Sequence, residues 1–254
     1  MALHIETSGS GPDLVLLHGW GMNAAVWTGI APVLAQQFRL HRVDLPGHGA
    51  SAACEPYTLE ALSALLAAAL PPRVAVCGWS LGAQLALQWA LAQPRQVERM
   101  VLIAGTPRFV LDADWECGIA AAVVESFAQE LARDARGTVQ RFLALQAQDD
   151  ADARAVLRRL RGCVFARGEP DATALAAALR LLEETDLRAG LKRVAQPVLL
   201  LHGERDALVP RGAAEYLARV LPCARLEVFA GAGHAPFIAQ PQRSAQHIAE
   251  FCGG

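Results

Sequence analysis

Gly78-Trp79-Ser80-Leu81-Gly82 is the stretch that decides how this chain folds. It follows the apolar run Val74-Ala75-Val76-Cys77 and precedes Ala83-Gln84-Leu85-Ala86-Leu87, which reads as a helix. A serine with glycine two positions to either side, at a strand-to-helix junction, is the pattern of a nucleophile held on a sharp elbow. The turn is too tight for bulk at the flanking positions, so glycine stands there. The helix that follows aims its N-terminal amides at the serine, where a developing oxyanion can be held.

Outward from the elbow, short apolar runs alternate with helical patterns. Leu14-Val15-Leu16-Leu17 reads as a strand entering the loop His18-Gly19-Trp20-Gly21, and 38–43 as another leading into Asp44-Leu45-Pro46-Gly47-His48-Gly49. Further strands are expected at 100–104, 198–201 and 226–229, with helices such as 82–92 and 211–220 between them. Near-continuous apolar strands separated by helices predict an α/β fold with a mostly parallel, doubly wound sheet. The stretch 107–187 has helical spacing and no convincing strand. It reads as an all-helical lid inserted into a core of residues 1–106 and 188–254, placed over the carboxyl edge where open α/β sheets bind ligands.

Bulk properties bound the function. The chain has 254 residues, 53% of them hydrophobic, enough for one large core. A formal net charge of -2 with 19% charged residues gives no sign of a nucleic-acid surface. No apolar run approaches the roughly 20 residues that span a bilayer. The segment Met1-Ala2-Leu3-His4-Ile5-Glu6 lacks the basic and apolar regions of a signal peptide. Six scattered cysteines, without a C-x-x-C pair, support neither a disulfide framework nor a zinc site. A monomeric cytoplasmic enzyme without metal or cofactor is expected.

A serine hydroxyl needs a base, and the base needs an orienting acid. On this architecture the order is serine, acid, histidine. Asp206 lies in the loop after the strand 198–201, and His234 in the glycine-rich loop Gly231-Ala232-Gly233-His234 after 226–229. Glu204, nearer the strand end, rivals Asp206 as the acid; the earlier strand ends Ala104-Gly105-Thr106 and offers no carboxylate. His202 lies within a strand and reads as packed or locally bonded. The oxyanion donors are the amide of Leu81 and that of Trp20, whose indole would also wall an acyl pocket. His18 reads as shaping that loop, and Asp44 as turn chemistry.

These strings resemble the α/β-hydrolase superfamily. More narrowly, G-W-S-L-G, the lid run Thr138-Val139-Gln140-Arg141-Phe142-Leu143-Ala144-Leu145-Gln146, Thr185-Asp186-Leu187-Arg188 and Leu208-Val209-Pro210 are similar to the esterases that demethylate pimeloyl-acyl-carrier protein in biotin synthesis. The resemblance covers essentially the whole chain. It implies an acyl-carrier protein as partner, and substrate contacts at Trp20, Ser80, Leu81, Phe142, Leu143, Ala144, Leu145, Gln146 and His234. It also implies carrier contacts at Arg141, Arg154 and Arg158. The family pattern has a further arginine where this chain has Gly137, beside Arg136, and a second glycine where it has Ala83.

The lid's charge can be read without the family. Residues 133–167 hold eight arginines and four aspartates, a local net of +4. Arg154, Arg158 and Arg161 recur at i, i+4 and i+7 and share a helix face. That face either attracts an acidic partner or is a solvated surface laced with ordinary salt bridges. The rival functions are an esterase, lactonase or carbon–carbon hydrolase for another small substrate, and a non-catalytic receptor with a closed pocket. A dehalogenase would want a carboxylate where Ser80 stands.

Overall fold

The computed structural model describes residues 3–253. Met1, Ala2 and Gly254, on which the N-terminal reading and the outer limits of the core partly rest, lie outside the described residues. Seven strands, β1 (Ile5–Ser8), β2 (Asp13–Leu17), β3 (Arg39–Val43), β4 (Val74–Trp79), β5 (Val97–Ile103), β6 (Val198–Gly203) and β7 (Ala224–Phe229), form one sheet in the order β1-β3-β2-β4-β5-β6-β7. Every pairing is parallel except β1 with β3, where Ile5 faces Val43 and Ser8 faces Leu40. The apolar pattern does not reveal β1, because Ile5-Glu6-Thr7-Ser8 carries no apolar run and is an edge strand recognisable only by its partner.

Side chains alternate across each strand, so the apolar runs feed two cores. Leu14, Leu16, Cys77, Trp79, Val101, Ile103, Leu199 and Leu201 pack on one face with the C-terminal helix Pro241–Gly253 and the lid. Val15, Leu17, Val74, Val76, Met100, Leu102, Val198 and Leu200 pack on the other with helices Leu59–Ala69 and Leu81–Ala92. Both faces are covered, which is why the strands read as unbroken hydrophobic runs.

Between β5 and β6 lie four α-helices, Ala121–Leu131, Ala135–Gln146, Ala153–Val164 and Ala172–Glu184, and a short 3-10 helix, Arg188–Arg193. Asp134, Asp152 and Asp171 each cap the following helix, accepting from Gly137, Ala155 and Ala174 N–H. Helix Ala153–Val164 buries Val156, Leu160 and Val164 at four-residue spacing and turns its arginines outward. The segment also contains isolated β-bridges absent from the all-helical reading, Val110 with Ile119 and Asp112 with Trp115. A third, Arg108 with Asp186, brings the chain's entry and exit together. Arg188 and Arg108 both bond the Asp186 carboxylate there, and mainly through the Arg188 hydrogen bond its pKa is lowered to about 2.

Candidate active site

β4 ends at Trp79 and helix Leu81–Ala92 begins at Leu81, leaving Ser80 alone at φ 56° and ψ −115°. A left-handed backbone on a serine stores about 1–3 kcal/mol of strain, held in place by what surrounds it. The flanking glycines are required by close approach. A Cβ on Gly78 would sit 2.2 Å from Gly82 O, and one on Gly82 would sit 2.4 Å from Leu17 O. Ser80 is 7% exposed, and its side chain makes no hydrogen bond among the described residues.

Asp206 and His234 meet from the loops after β6 and β7. His234 Nδ1 lies 2.8 Å from Asp206 Oδ2, with both side chains buried. The other carboxylate oxygen, Oδ1, accepts from Leu208 and Val209 N–H, at 2.9 Å each. Burial alone would raise the Asp206 pKa; the His234 charge and hydrogen bond, with help from His202 and the Val209 amide, outweigh it and hold the carboxyl below its ordinary value. The bond to Asp206 leaves His234 Nε2 as the free ring nitrogen, buried and without a partner among the described residues. Trp79 supports the ring from the elbow side: its indole N–H donates to His234 O at 2.9 Å, with ring centroids 5.7 Å apart.

Glu204 has a different place. Its Oε2 accepts from Gly231 N–H at 2.9 Å, so it ties the Gly231–His234 loop to the end of β6, apart from the imidazole. His202 is local, with Nε2 2.8 Å from Val209 O; burial lowers its pKa.

The loop after β2 comes up against the elbow, where a Cβ on Gly19 would meet Ser80 Cβ at 3.3 Å. The backbone amides of Leu81 and Trp20 are uncommitted among the described residues. His18, fully buried, accepts from Leu45 N–H through Nε2, and its Nδ1 lies 2.8 Å from Gly19 O. That tautomer is neutral, and burial first, then neighbouring His48, lowers its pKa to about 3. Asp44 does more than shape a turn. Its buried carboxylate accepts from Ala24 and Ala50 N–H and pairs with Arg167 of the lid.

The lid is bonded directly to these loops. Trp20 Nε1–H donates to Leu175 O at 3.0 Å, and the indole packs edge-on against Phe142 with centroids 4.8 Å apart. Asn23 Nδ2–H donates to Cys163 O and Val164 O at the end of a lid helix. Sequence reading misses Asn23 and Trp79 as site-supporting residues: each signal is a contact across more than a hundred residues.

The run Phe142 to Gln146 does not act as a unit. Helical geometry turns Phe142, Leu143 and Gln146 inward, whereas Ala144 and Leu145 line outer grooves. One groove, about 520 Å³, runs between helices Ala121–Leu131 and Ala135–Gln146, with Phe127 in its wall and Arg141 on its rim. The arginines divide too. Arg136 pairs with Glu169 and stacks on Phe165, Arg141 pairs with Glu130, Arg159 bonds Ile238 O, and Arg167 joins Glu6 and Asp44. Arg154, Arg158 and Arg161 are exposed, with no ion pair among the described residues. The salt-bridge account of that face therefore fails for these three: Asp134, Asp150 and Asp152 accept from backbone amides, and Asp149 from the Gln148 side chain.

A buried carboxylate–imidazole pair and a serine elbow at the carboxyl edge of a parallel sheet define a class of protein. Residues 12–241 match the family model described as alpha/beta hydrolase fold, and the chain belongs to that family. It is 48% identical over 243 residues to a protein of Nitrosomonas europaea named pimeloyl-[acyl-carrier protein] methyl ester esterase, covering 95% of this chain and 96% of that one. A protein of the same name from Aeromonas hydrophila is 44% identical over the full length of both. An esterase structure from Exiguobacterium antarcticum superposes with a TM-score of 0.90 at 21% identity, covering 99% of this chain and 96% of that one, which speaks to the fold.

Proposed function

We propose that the protein is a serine carboxylesterase that hydrolyses the methyl ester of pimeloyl-acyl-carrier protein, releasing methanol, as a step of biotin synthesis. The chemistry rests above all on one observation: Asp206 holds His234 with its second ring nitrogen unoccupied, in the loop that Trp79 ties to the Ser80 elbow. Likeness to full-length relatives of that name supports the substrate.

Ser80 Oγ attacks the ester carbonyl carbon while His234 Nε2 takes its proton, and Asp206 stabilises the imidazolium. The oxyanion forms against the Leu81 and Trp20 amides, each worth about 3 kcal/mol in the barrier. Collapse expels methanol, protonated by His234, and leaves an acyl-Ser80 ester. His234 then draws a proton from water, which attacks that ester and restores Ser80. A lid of residues 107–187 excludes bulk water from the acyl-enzyme. Trp20, Phe142, Leu143 and Gln146 form the inner acyl wall, and Ala144 and Leu145 meet the carrier-bound chain in the outer groove.

Arg154 and Arg158 attract the acidic carrier surface, with Arg161 extending the same face. Arg141 guards the groove, though Glu130 offsets its charge. Arg136, turned to Glu169, leaves the position beside Gly137 without a free guanidinium. No helix of the described residues is long and apolar enough to cross a membrane, and all six cysteines are free, which suits a reducing cytoplasm. The protein acts as a monomer. A fluorophosphonate probe should label Ser80 in folded protein and leave Ser80→Ala unlabelled; folded parent protein that resists the probe would identify a receptor with this fold instead.

A further inference from the structure

The loop carrying His234 is gripped from two sides. From the core, Glu204 accepts from Gly231 N–H. From the lid, three hydrogen bonds cross to the same loop. Ala151 N–H donates to Gly231 O at 2.8 Å, His234 N–H donates to Gln146 O at 3.3 Å, and Gly233 N–H donates to Asp150 Oδ2 at 2.8 Å. Asp150 is only 8% exposed, and its other oxygen accepts from Asp152 N–H at 2.8 Å. The lid backbone bends sharply to bring it there: Asp149 adopts φ 61°, a left-handed conformation that aspartate tolerates better than most residues. The approach is close enough that a Cβ on Gly233 would stand 3.2 Å from Gln148 O.

We propose that Asp150 is a positioning residue for the base: its carboxylate fastens the Gly231–His234 loop to the lid, so that the imidazole is set for proton transfer only when the lid is seated. Lid and base thereby act as one unit. A carrier protein engaging the neighbouring helix Ala153–Val164 acts on the same segment that holds the base. Of the three lid bonds, Asp150 alone contributes a side chain, which makes it separable by substitution. A loop released at Gly233 lets the imidazole drift, and small displacements of a catalytic group cost rate without weakening substrate binding.

This inference rests on His234 being the base, and the experiment separates the two. Steady-state kinetics with p-nitrophenyl acetate and the rate of fluorophosphonate labelling are compared for the parent, Asp150→Ala, Asp150→Asn and His234→Ala. Asp150→Ala should lower kcat and the labelling rate about 10- to 100-fold while KM stays within about twofold. Asp150→Asn keeps an oxygen for Gly233 N–H but sets its NH2 against Asp152 N–H, so it should recover only part of the loss, with kcat between those of Asp150→Ala and the parent. Should Asp150→Ala fail to fold, Asp150→Glu, which moves the acceptor by one methylene, is expected to show the same kcat loss. Asp150→Ala or Asp150→Glu with parental kcat, or a loss that falls on KM and leaves kcat unchanged, overturns the positioning role. Rapid labelling of His234→Ala would instead overturn the base assignment itself.

Discussion

Trp20 donates its indole N–H to the carbonyl of Leu175 across 155 residues of chain, 3.0 Å apart and fully buried. The residue proposed to offer an oxyanion amide is thus fastened to the last lid helix by its side chain. Trp20→Phe keeps an aromatic wall beside Phe142 but removes the indole's bond to Leu175 O, a carbonyl its own helix still pairs, at a cost of about 0.5–1.5 kcal/mol. The expected outcome is a kcat/KM lowered about tenfold on small esters, together with a lower unfolding midpoint. Unchanged kinetics and stability would show that the bond positions nothing.

Asp206 and Glu204 separate cleanly by substitution. Asp206→Asn should reduce kcat by about 10⁴, since the amide favours the wrong imidazole tautomer. Glu204→Gln keeps an acceptor for Gly231 N–H and should stay within about threefold of the parent. Comparable losses in the two variants would reopen the choice of acid.

Much of this is legible in the residues. Glycines spaced about Ser80, and Asp206 and His234 after successive strands, each announce a local geometry. β1 is not legible, because its polar residues are ordered by β3. Nor is the division of residues 142–146, since a resemblance carries positions across without saying which way a helix faces. Asp150, Asn23 and Trp79 act through partners 83, 140 or more, and 155 residues away, and no local pattern marks such contacts.

The glycines give opposite predictions by position. Gly82→Ala drives a Cβ to 2.4 Å from Leu17 O and 2.7 Å from His18 O, both backbone atoms. It should destabilise by about 1–3 kcal/mol and abolish labelling of Ser80. A Cβ on Gly162, within helix Ala153–Val164, would meet nothing within 4 Å. Gly162→Ala should therefore stabilise by about 0.5–1 kcal/mol. Urea titrations check both, and equal effects at the two sites would contradict the close-approach account.

Acid should loosen the fold before it titrates the carboxylates. Burial lowers the pKa of His18, to about 3, and also those of His48 and His202. Below the ordinary imidazole value of 6.5 the unfolded chain takes up protons that the folded chain refuses. Stability is thus full above that value and falls as pH drops below it. Between pH 7.5 and 5.5 each of the three histidines should remove up to about 1.4 kcal/mol. Urea midpoints that stay level or rise toward pH 5.5 would refute the neutral, buried assignments.

The central claim joins the Ser80 chemistry to a carrier-bound substrate read by the outer lid. Its most direct measurement is kcat/KM for methyl pimeloyl-acyl-carrier protein and for a free methyl ester, in the parent and in the Arg154→Glu/Arg158→Glu variant. The account predicts that the parent prefers the carrier-bound ester and that the variant loses about tenfold or more on it through KM, with the free ester unaffected. A parent that turns over free esters and leaves methyl pimeloyl-acyl-carrier protein intact would contradict it.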